Sequence, residues 1–452
     1  MIPGSKPLER EILKKITPTT KEKQHLKDVI AALKRCVRKE IIKTDIPIGL
    51  ELVGSTAKDT FLRTSVDIDL FLVFPTTVPR EVLQEKGLTI GRAILEQQEE
   101  CFAEHPYVRG IFQDYEAELV PCYKIESASQ KLSAVDRTPL HTKYVKTNLK
   151  KQQKKEVRLL KQFLKGVDCY GAEAEIEGFS GYLCELMIIK YGTFQHFIEA
   201  AAQWKHGETL ALAGELFPQF ETPLTFIDPV DSERNVASAL SKEKFTLLRS
   251  ACIAYAQKPK LTFFFPHHVR PWTLKKIKTE IKTREYIGVK LSKPEIISEN
   301  LYPQIRKAIR SIIELCEQYG FAINSTAFFV DKTALYLVLQ PQTLIISKTF
   351  LHEGPPTMLK KNAEEFIEKW VNHPRTRKKP FEKNNRLYVE IDREYNDIKN
   401  LLQDQVRTLS LGKHIDHMTR KGYVVLDKKD LLTDNLRTFW TAHLDSRMSW
   451  ER

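Results

Sequence analysis

The chain has 452 residues, a length that accommodates roughly two to four domains with ample core. Apolar content of 42% and charged content of 29% indicate a soluble, globular protein and exclude a low-complexity or collagen-like chain; no apolar run approaches membrane-spanning length. A net charge of +13 makes a polyanion the expected partner.

Seven cysteines (36, 101, 122, 169, 184, 252 and 316) are scattered without a C-x-x-C pair. This disfavours a disulfide scaffold or a zinc ribbon and points to free thiols in a reducing compartment. The opening MIPGSKPLEREILKK lacks a signal-peptide apolar stretch, so a cytoplasmic location is expected.

Taken in chain order, residues 21–42 place Leu26, Val29, Ile30, Leu33, Val37 and Ile41 at helical spacing. IPIGLELVG alternates like a strand and is broken at GSTAKDT. DIDLFLVF follows as a core strand, closed by Pro75. PREVLQEKGLTIGRAILEQQEE (79–100) reads as a helix with Pro79 just before its start. YVRGIFQ and YEAELVPCYKI read as two strands joined at Gln113–Asp114. Residues 1–145 are thus expected to be a mixed α/β head.

From NLKKQQKKEVRLLKQFLKGV the period becomes helical. Val157, Leu160, Leu164 and Val167 form an apolar stripe, with Lys154, Arg158, Lys161 and Lys165 off it. FSGYLCELMIIKYG and FQHFIEAAAQW continue as helices, so 146–258 is expected to be a helical second domain. Residues 259–452 read as an α+β C-terminal region, with a helix in LYPQIRKAIRSIIELCEQYG and a hairpin in TAFFVDKTALYLVLQ. The fold class is α+β multidomain.

Asp67 and Asp69 interrupt the otherwise apolar strand. Alternate strand residues share a face, so the two carboxylates lie ~6–7 Å apart along it. They repel one another and resist desolvation, and a divalent cation resolves that conflict, since hard oxygen ligands suit Mg²⁺. Taken alone, a D-x-D is more often a strand end at which both aspartates meet solvent. Gly54–Ser55 closes the preceding strand, with eleven residues between Ser55 and Asp67. Such a turn lets backbone N–H groups and a hydroxyl approach a phosphate. Two-metal chemistry, with cations ~3.5–4 Å apart, asks for a third carboxylate from a neighbouring strand. Asp114, Glu116 and Glu118 are the candidates.

GS followed by D-I-D on a strand resembles the polymerase-beta-type nucleotidyltransferase superfamily. The ordered series GSTAKDTFLRTSVDIDLFLVFP, AEHPYVRG, ELVPCYK, SAVDRTPLHTKY, EVRLLKQFLK, YGAE, GFSGYLCELMI and DPVDSERNVASALS resembles, more narrowly, the archaeal (class I) CCA-adding enzymes, which are tRNA nucleotidyltransferases. FFFPHH, KPEIISENLYPQI and LGKHI extend the likeness into the C-terminal half. The resemblance implies a catalytic head, a helical domain binding the nucleotide and the tRNA end, and a C-terminal region gripping the tRNA. It implies addition of C, C and A to the tRNA 3′ end from CTP and ATP, with release of pyrophosphate, and it suggests a homodimer.

Carried onto this chain, Asp67, Asp69 and Glu118 are the metal ligands. Ser55, Lys58, Thr138, His141, Lys161 and Tyr170 fall where the family contacts the incoming nucleotide, mainly its triphosphate. Arg234 falls where an arginine helps recognise the base together with the tRNA end. Two positions depart from the family: Lys58 stands for an arginine and Glu118 for an aspartate, longer by one methylene. Asp228 and Asp231 are expected to cap the turn before the next helix.

HHVRPWTLKKIKTEIKTREYIGVK and HPRTRKKPFEKNNR interleave basic and aromatic residues. Lys275, Lys276, Lys278, Arg375 and Arg377 are the candidate phosphate contacts, and Trp272 or Tyr286 could stack on an unpaired end. Three other functions share parts of this pattern: a poly(A)-type polymerase, a non-catalytic RNA-binding protein of the same fold, and a small-molecule nucleotidyltransferase. The last has little use for so large a basic C-terminal region.

Overall fold

The N-terminal apolar spacing is realised as α1 (Ser5–Ile16) and α2 (Thr20–Ile42). A capping box starts the second: the Thr19 hydroxyl accepts from the Glu22 N–H, and the Glu22 carboxylate accepts from the Thr19 N–H. Leu26, Val29, Leu33 and Val37 of α2 are buried, as the spacing requires. The computed structural model describes residues 2, 4–102, 105–212, 214 and 220–452; Ala103 and Glu104 of the AEHPYVRG string lie outside them. The chain divides into two units, Met1–His268 with Arg447–Arg452, and Val269–Ser446.

In the first unit, β1 (Gly49–Leu52), the short α3 (Gly54–Lys58), β2 (Asp67–Phe74), α4 (Arg80–Ile94), β3 (Glu96–Phe102), β4 (Pro106–Phe112) and β5 (Tyr115–Tyr123) build a five-stranded sheet of order β1-β2-β5-β4-β3. It is mixed: β2 and β5 run parallel and the other pairs antiparallel. Ile68, Leu70, Leu72 and Phe74 share one face with Leu26, Leu33 and Leu83, whereas Phe71 and Val73 join Val120 and Cys122 on the other. That alternation puts Asp67 and Asp69 on the second face. The first face is covered by α2 and α4. Gly91 of α4 lies so close to β4 that a Cβ there would meet Val108 at 2.6 Å.

One expectation fails here. The helix over 79–100 stops at Ile94, and Glu96–Phe102 is a strand paired with β4. Its residues are good helix formers, but the open edge of β4 captures them, a tertiary pairing that overrides local propensity.

Next come α5 (Thr138–Asn148), α6 (Lys154–Gly166), α7 (Gly181–Tyr191) and α8 (Phe194–Ala201). A small sheet of β6 (Glu208–Leu210), β7 (Leu224–Asp228) and β8 (Asp231–Asn235) interrupts the expected run of helices before α9 (Lys242–Gln257). Phe163 of α6 is ringed by Phe194, Tyr255, Phe263 and Phe264 at 5.4–6.0 Å. α6 is buried on nearly every side, Arg158 and Lys161 included. Both lie off the apolar stripe, as the spacing places them, and are nevertheless enclosed.

The second unit contains α10 (Leu274–Glu280), β9 (Ile287–Ser292), α11 (Ser298–Gln318), β10 (Ile323–Val330) and β11 (Ala334–Pro341), with the expected hairpin formed by the last two. After them come β12 (Thr349–Pro356), α12 (Lys360–Val371), β13 (Thr376–Lys383), β14 (Arg386–Asp392), α13 (Ile398–Gln405), α14 (Lys413–Lys421), β15 (Tyr423–Asp427) and α15 (Arg437–Leu444). Two sheets result, ordered β10-β11-β9-β15 and β12-β14-β13. Among the described residues no helix is long and apolar enough to cross a membrane.

Candidate active site

The parallel register of β2 and β5 sets Asp67 opposite Glu116 and Asp69 opposite Glu118. Asp67 is exposed and Asp69 half-buried, and neither has an ion-pair partner among the described residues. Burial is the main cause that raises both carboxyls; Glu118 and Asp67 add repulsion at Asp69, which is pushed up to about 7. Gly54 abuts this carboxylate. It has φ +67°, and a Cβ on it would fall 1.7 Å from Asp69 Oδ2. The glycine of the GS turn is therefore required by steric fit as well as by backbone conformation.

Glu118 is drawn to the side. The Arg109 guanidinium donates from Nε to its Oε1 at 2.7 Å, with Nη2 in ion-pair contact with the same oxygen at 2.6 Å. Among the described residues no three His, Cys, Asp or Glu side chains converge as a metal-holding group. The three carboxylates thus share one sheet face and neighbouring register positions, while the side chain of the third is held in an ion pair. Their chemistry fits a divalent cation: oxygen donors only, mutually repelling, with neither Asp67 nor Asp69 in an ion pair among the described residues.

Beside Asp69 opens a cavity of about 430 Å³. Ser55, Lys58, Thr138, His141, Lys161, Tyr170 and Arg234 all line it, although they come from α3, α5, α6, β8 and the segment after α6. Two ionic groups give it shape. Glu185 of α7, with no exposed side-chain surface, accepts from Lys58 at 2.5 Å and from the Thr60 hydroxyl, and lies 3.6 Å from the Lys161 ammonium. Lys161 is 2% exposed, and burial lowers its pKa. Two lysine side chains thus share one buried carboxylate.

Asp228 holds the other end of the cavity. It receives His141 Nε2 at 2.9 Å, Arg234 Nη1 at 2.8 Å, the Tyr182 hydroxyl at 3.1 Å and the Val230 N–H at 3.1 Å. Burial pushes its carboxyl up, but these donors outweigh it and bring it down to about 2. The His141 ring stacks on Tyr182 with centroids 4.2 Å apart, and burial lowers its own pKa. Asp228 does cap the expected turn, through the Val230 N–H, but the turn is that of a strand hairpin. Asp228 and Asp231 end and begin the strands of this tight hairpin, and Asp231 pairs with Arg137 and Lys131 at 2.7 and 2.8 Å.

Three segments of the chain match known domain families: a nucleotidyltransferase domain (32–141), the second domain of tRNA nucleotidyltransferase (155–265) and the C-terminal domain of the CCA-adding enzyme (282–428). Over 432 residues the sequence is 33% identical to the CCA-adding enzyme of Methanosarcina acetivorans, covering 94% of each chain. It is 34% identical to that of Methanothermobacter thermautotrophicus over 94% of this chain and 93% of the other, and 36% identical to that of Archaeoglobus fulgidus over 86% and 88%. The chain belongs to the CCA-adding enzyme family.

In the segment matching the family's C-terminal domain and just before it, the basic candidates divide. Lys275, Lys276 and Lys278 are exposed on α10 around the buried Ile277. The Lys276 ammonium lies 3.4 Å from the Trp272 ring centroid. Arg375 is turned inward, donating Nε and Nη2 to the Asp392 carbonyl at 2.9 and 2.8 Å. Arg377 is exposed and paired with the Asp392 carboxylate. Tyr286 is corrected: it is 1% exposed and packs edge-on against Trp440, so it has no free face for a base.

Sequence reasoning missed Glu185, Tyr182, Arg109 and the hub role of Asp228. Glu185 carried a signal: a lone carboxylate in the apolar run GYLCELMII has to be paired if that helix is buried. The other three had none.

Proposed function

We propose that the protein adds C, C and A to the 3′ end of tRNA from CTP and ATP, without a nucleic-acid template, using Mg²⁺ held by Asp67, Asp69 and Glu118. The observation that carries this reading is the cavity beside Asp69. It gathers two lysines, a serine, a threonine and an arginine, the donors an anionic ligand would use. Lys58 and Lys161 would engage the triphosphate as point charges, and Ser55 and Thr138 would bond its oxygens. Arg234, steadied by Asp228, would present its remaining donors to the base and the RNA end. Asp67, Asp69 and Glu118 would hold the divalent cations, which when bound would supply Lewis acidity to the transfer. One of the three carboxylates would take the proton of the 3′-hydroxyl as its oxygen bonds to the α-phosphorus; the bond from that phosphorus to the oxygen bridging to the β-phosphate breaks, and pyrophosphate leaves. Tyr170 and His141 line the same space, where they would exclude water and orient the nucleotide.

The test is extension of a tRNA lacking its 3′ CCA, with Mg²⁺ and CTP, ATP or both. Two nucleotides added with CTP alone, and one more when ATP joins, is the expected result. Unlimited A addition would make this a poly(A)-type enzyme. Tight, salt-sensitive binding with no extension would make it an RNA-binding member of the fold.

A further inference from the structure

Arg109 belongs to none of the groups described so far as binding nucleotide or RNA. It stands on β4 directly across from Glu118 on β5, and Glu118 stands directly across from Asp69 on β2. Three consecutive strands thus line up a guanidinium and two carboxylates. The guanidinium places two nitrogens against the same oxygen of Glu118, at 2.7 and 2.6 Å, and is itself about half exposed. Asp69 and Glu118 together line a second, smaller cavity of about 290 Å³, beside Tyr107. Like charges this close favour any arrangement that supplies one of them with a cation.

We propose that Arg109 is a positioning residue for the carboxylate site: its guanidinium holds Glu118 while no metal is bound, and a divalent cation must draw Glu118 away from it. The extra methylene of glutamate gives the side chain the reach to serve two partners, one on each neighbouring strand. Arg109 therefore has two effects. It relieves the repulsion between Asp69 and Glu118 in the metal-free protein, and it competes with the metal for the third carboxylate. This rests on the reading that Asp67, Asp69 and Glu118 are the metal ligands.

The test is Mn²⁺ titration of the full chain, followed by the electron paramagnetic resonance signal of free Mn²⁺, without nucleotide or RNA. Arg109→Gln is expected to bind Mn²⁺ about three- to tenfold more tightly than the unaltered protein, the scale of one partly exposed charge contact. Its metal-free form is expected to melt at a lower temperature. Arg109→Lys, which keeps the charge and loses the fork, should fall between the two. In a Glu118→Gln background the gain from Arg109→Gln should vanish, which a purely structural role of Arg109 would not produce. Unchanged or weaker Mn²⁺ binding in both Arg109 variants, or a gain that persists without Glu118, overturns the inference. Asp69→Asn separates the two levels: if it leaves Mn²⁺ binding intact, the ligand assignment falls and this inference with it.

Discussion

Asp69 is the residue on which the head turns. Its carboxyl meets Gly54 on one side and shares a sheet face with Asp67 and Glu118 on the other. Asp69→Ala is expected to lower nucleotide addition at least about a hundredfold, the loss typical of removing one preorganised electrostatic element. Affinity for tRNA should hold, as a filter-binding assay beside the extension assay would report. Gly54→Ala tests the same spot from the start of α3. The new methyl would overlap the Asp69 carboxylate, and φ +67° would be strained for alanine by ~1 kcal/mol or more. Activity is expected to collapse with only a modest drop in melting temperature; an active Gly54→Ala would show that Asp69 moves freely. The D-x-D and the GS turn were legible because their residue types are unusual for their positions. Lys161 was less so: helical spacing puts it off the apolar stripe, yet its side chain is buried because α6 is enclosed on nearly all sides.

At the scale of elements, β2 and β5 could each be read from the sequence as a strand, but their parallel pairing and register are seen only in the folded sheet. The third strand in the group, β3, could not be read as one. Glu96–Glu100 has no alternation of apolar and polar residues, and only the neighbouring strand makes it extended. The hairpin β7–β8 escaped for a related reason: DPVDSERN is polar, and what buries it is the set of charges around Asp228 and Asp231. Those charges yield a pH prediction. The folded carboxyl of Asp228 sits at about 2, below its usual 3.8, because His141, Val230 and Arg234 outweigh the cost of burial. A depressed carboxyl contributes stability that is complete above the usual value and disappears as pH falls through the folded one. Between pH 3.8 and about 2 the unaltered protein should therefore lose more unfolding free energy than Asp228→Asn. Denaturant titrations at several pH values would show the two curves converging. Parallel curves would mean that Asp228 is not held by these donors in solution.

The charge of the whole molecule bears on how the RNA is held. A net charge of +13 over 452 residues says that a polyanion is attracted but not where. The structure sorts the basic residues: Arg375 is spent on a backbone carbonyl and Arg377 on Asp392, whereas Lys275 and Lys278 are exposed and make no ion pair among the described residues. An exposed lysine that neutralises a phosphate releases counterions, so the logarithm of the binding constant falls linearly with the logarithm of salt concentration. Lys275→Gln with Lys278→Gln is expected to weaken tRNA binding and to lower the magnitude of that slope by about one for each phosphate no longer neutralised. The weakening should be the same for tRNAs of different sequence, because phosphates carry no base identity. Arg377→Gln should change the slope much less, since its guanidinium already has a carboxylate. Equal slopes in the double variant and the unaltered protein would move the RNA-binding surface to another basic face. A larger effect from Arg377 than from the α10 lysines would mean that RNA displaces Asp392, and that pairing in the free protein is no guide to which cations serve the partner.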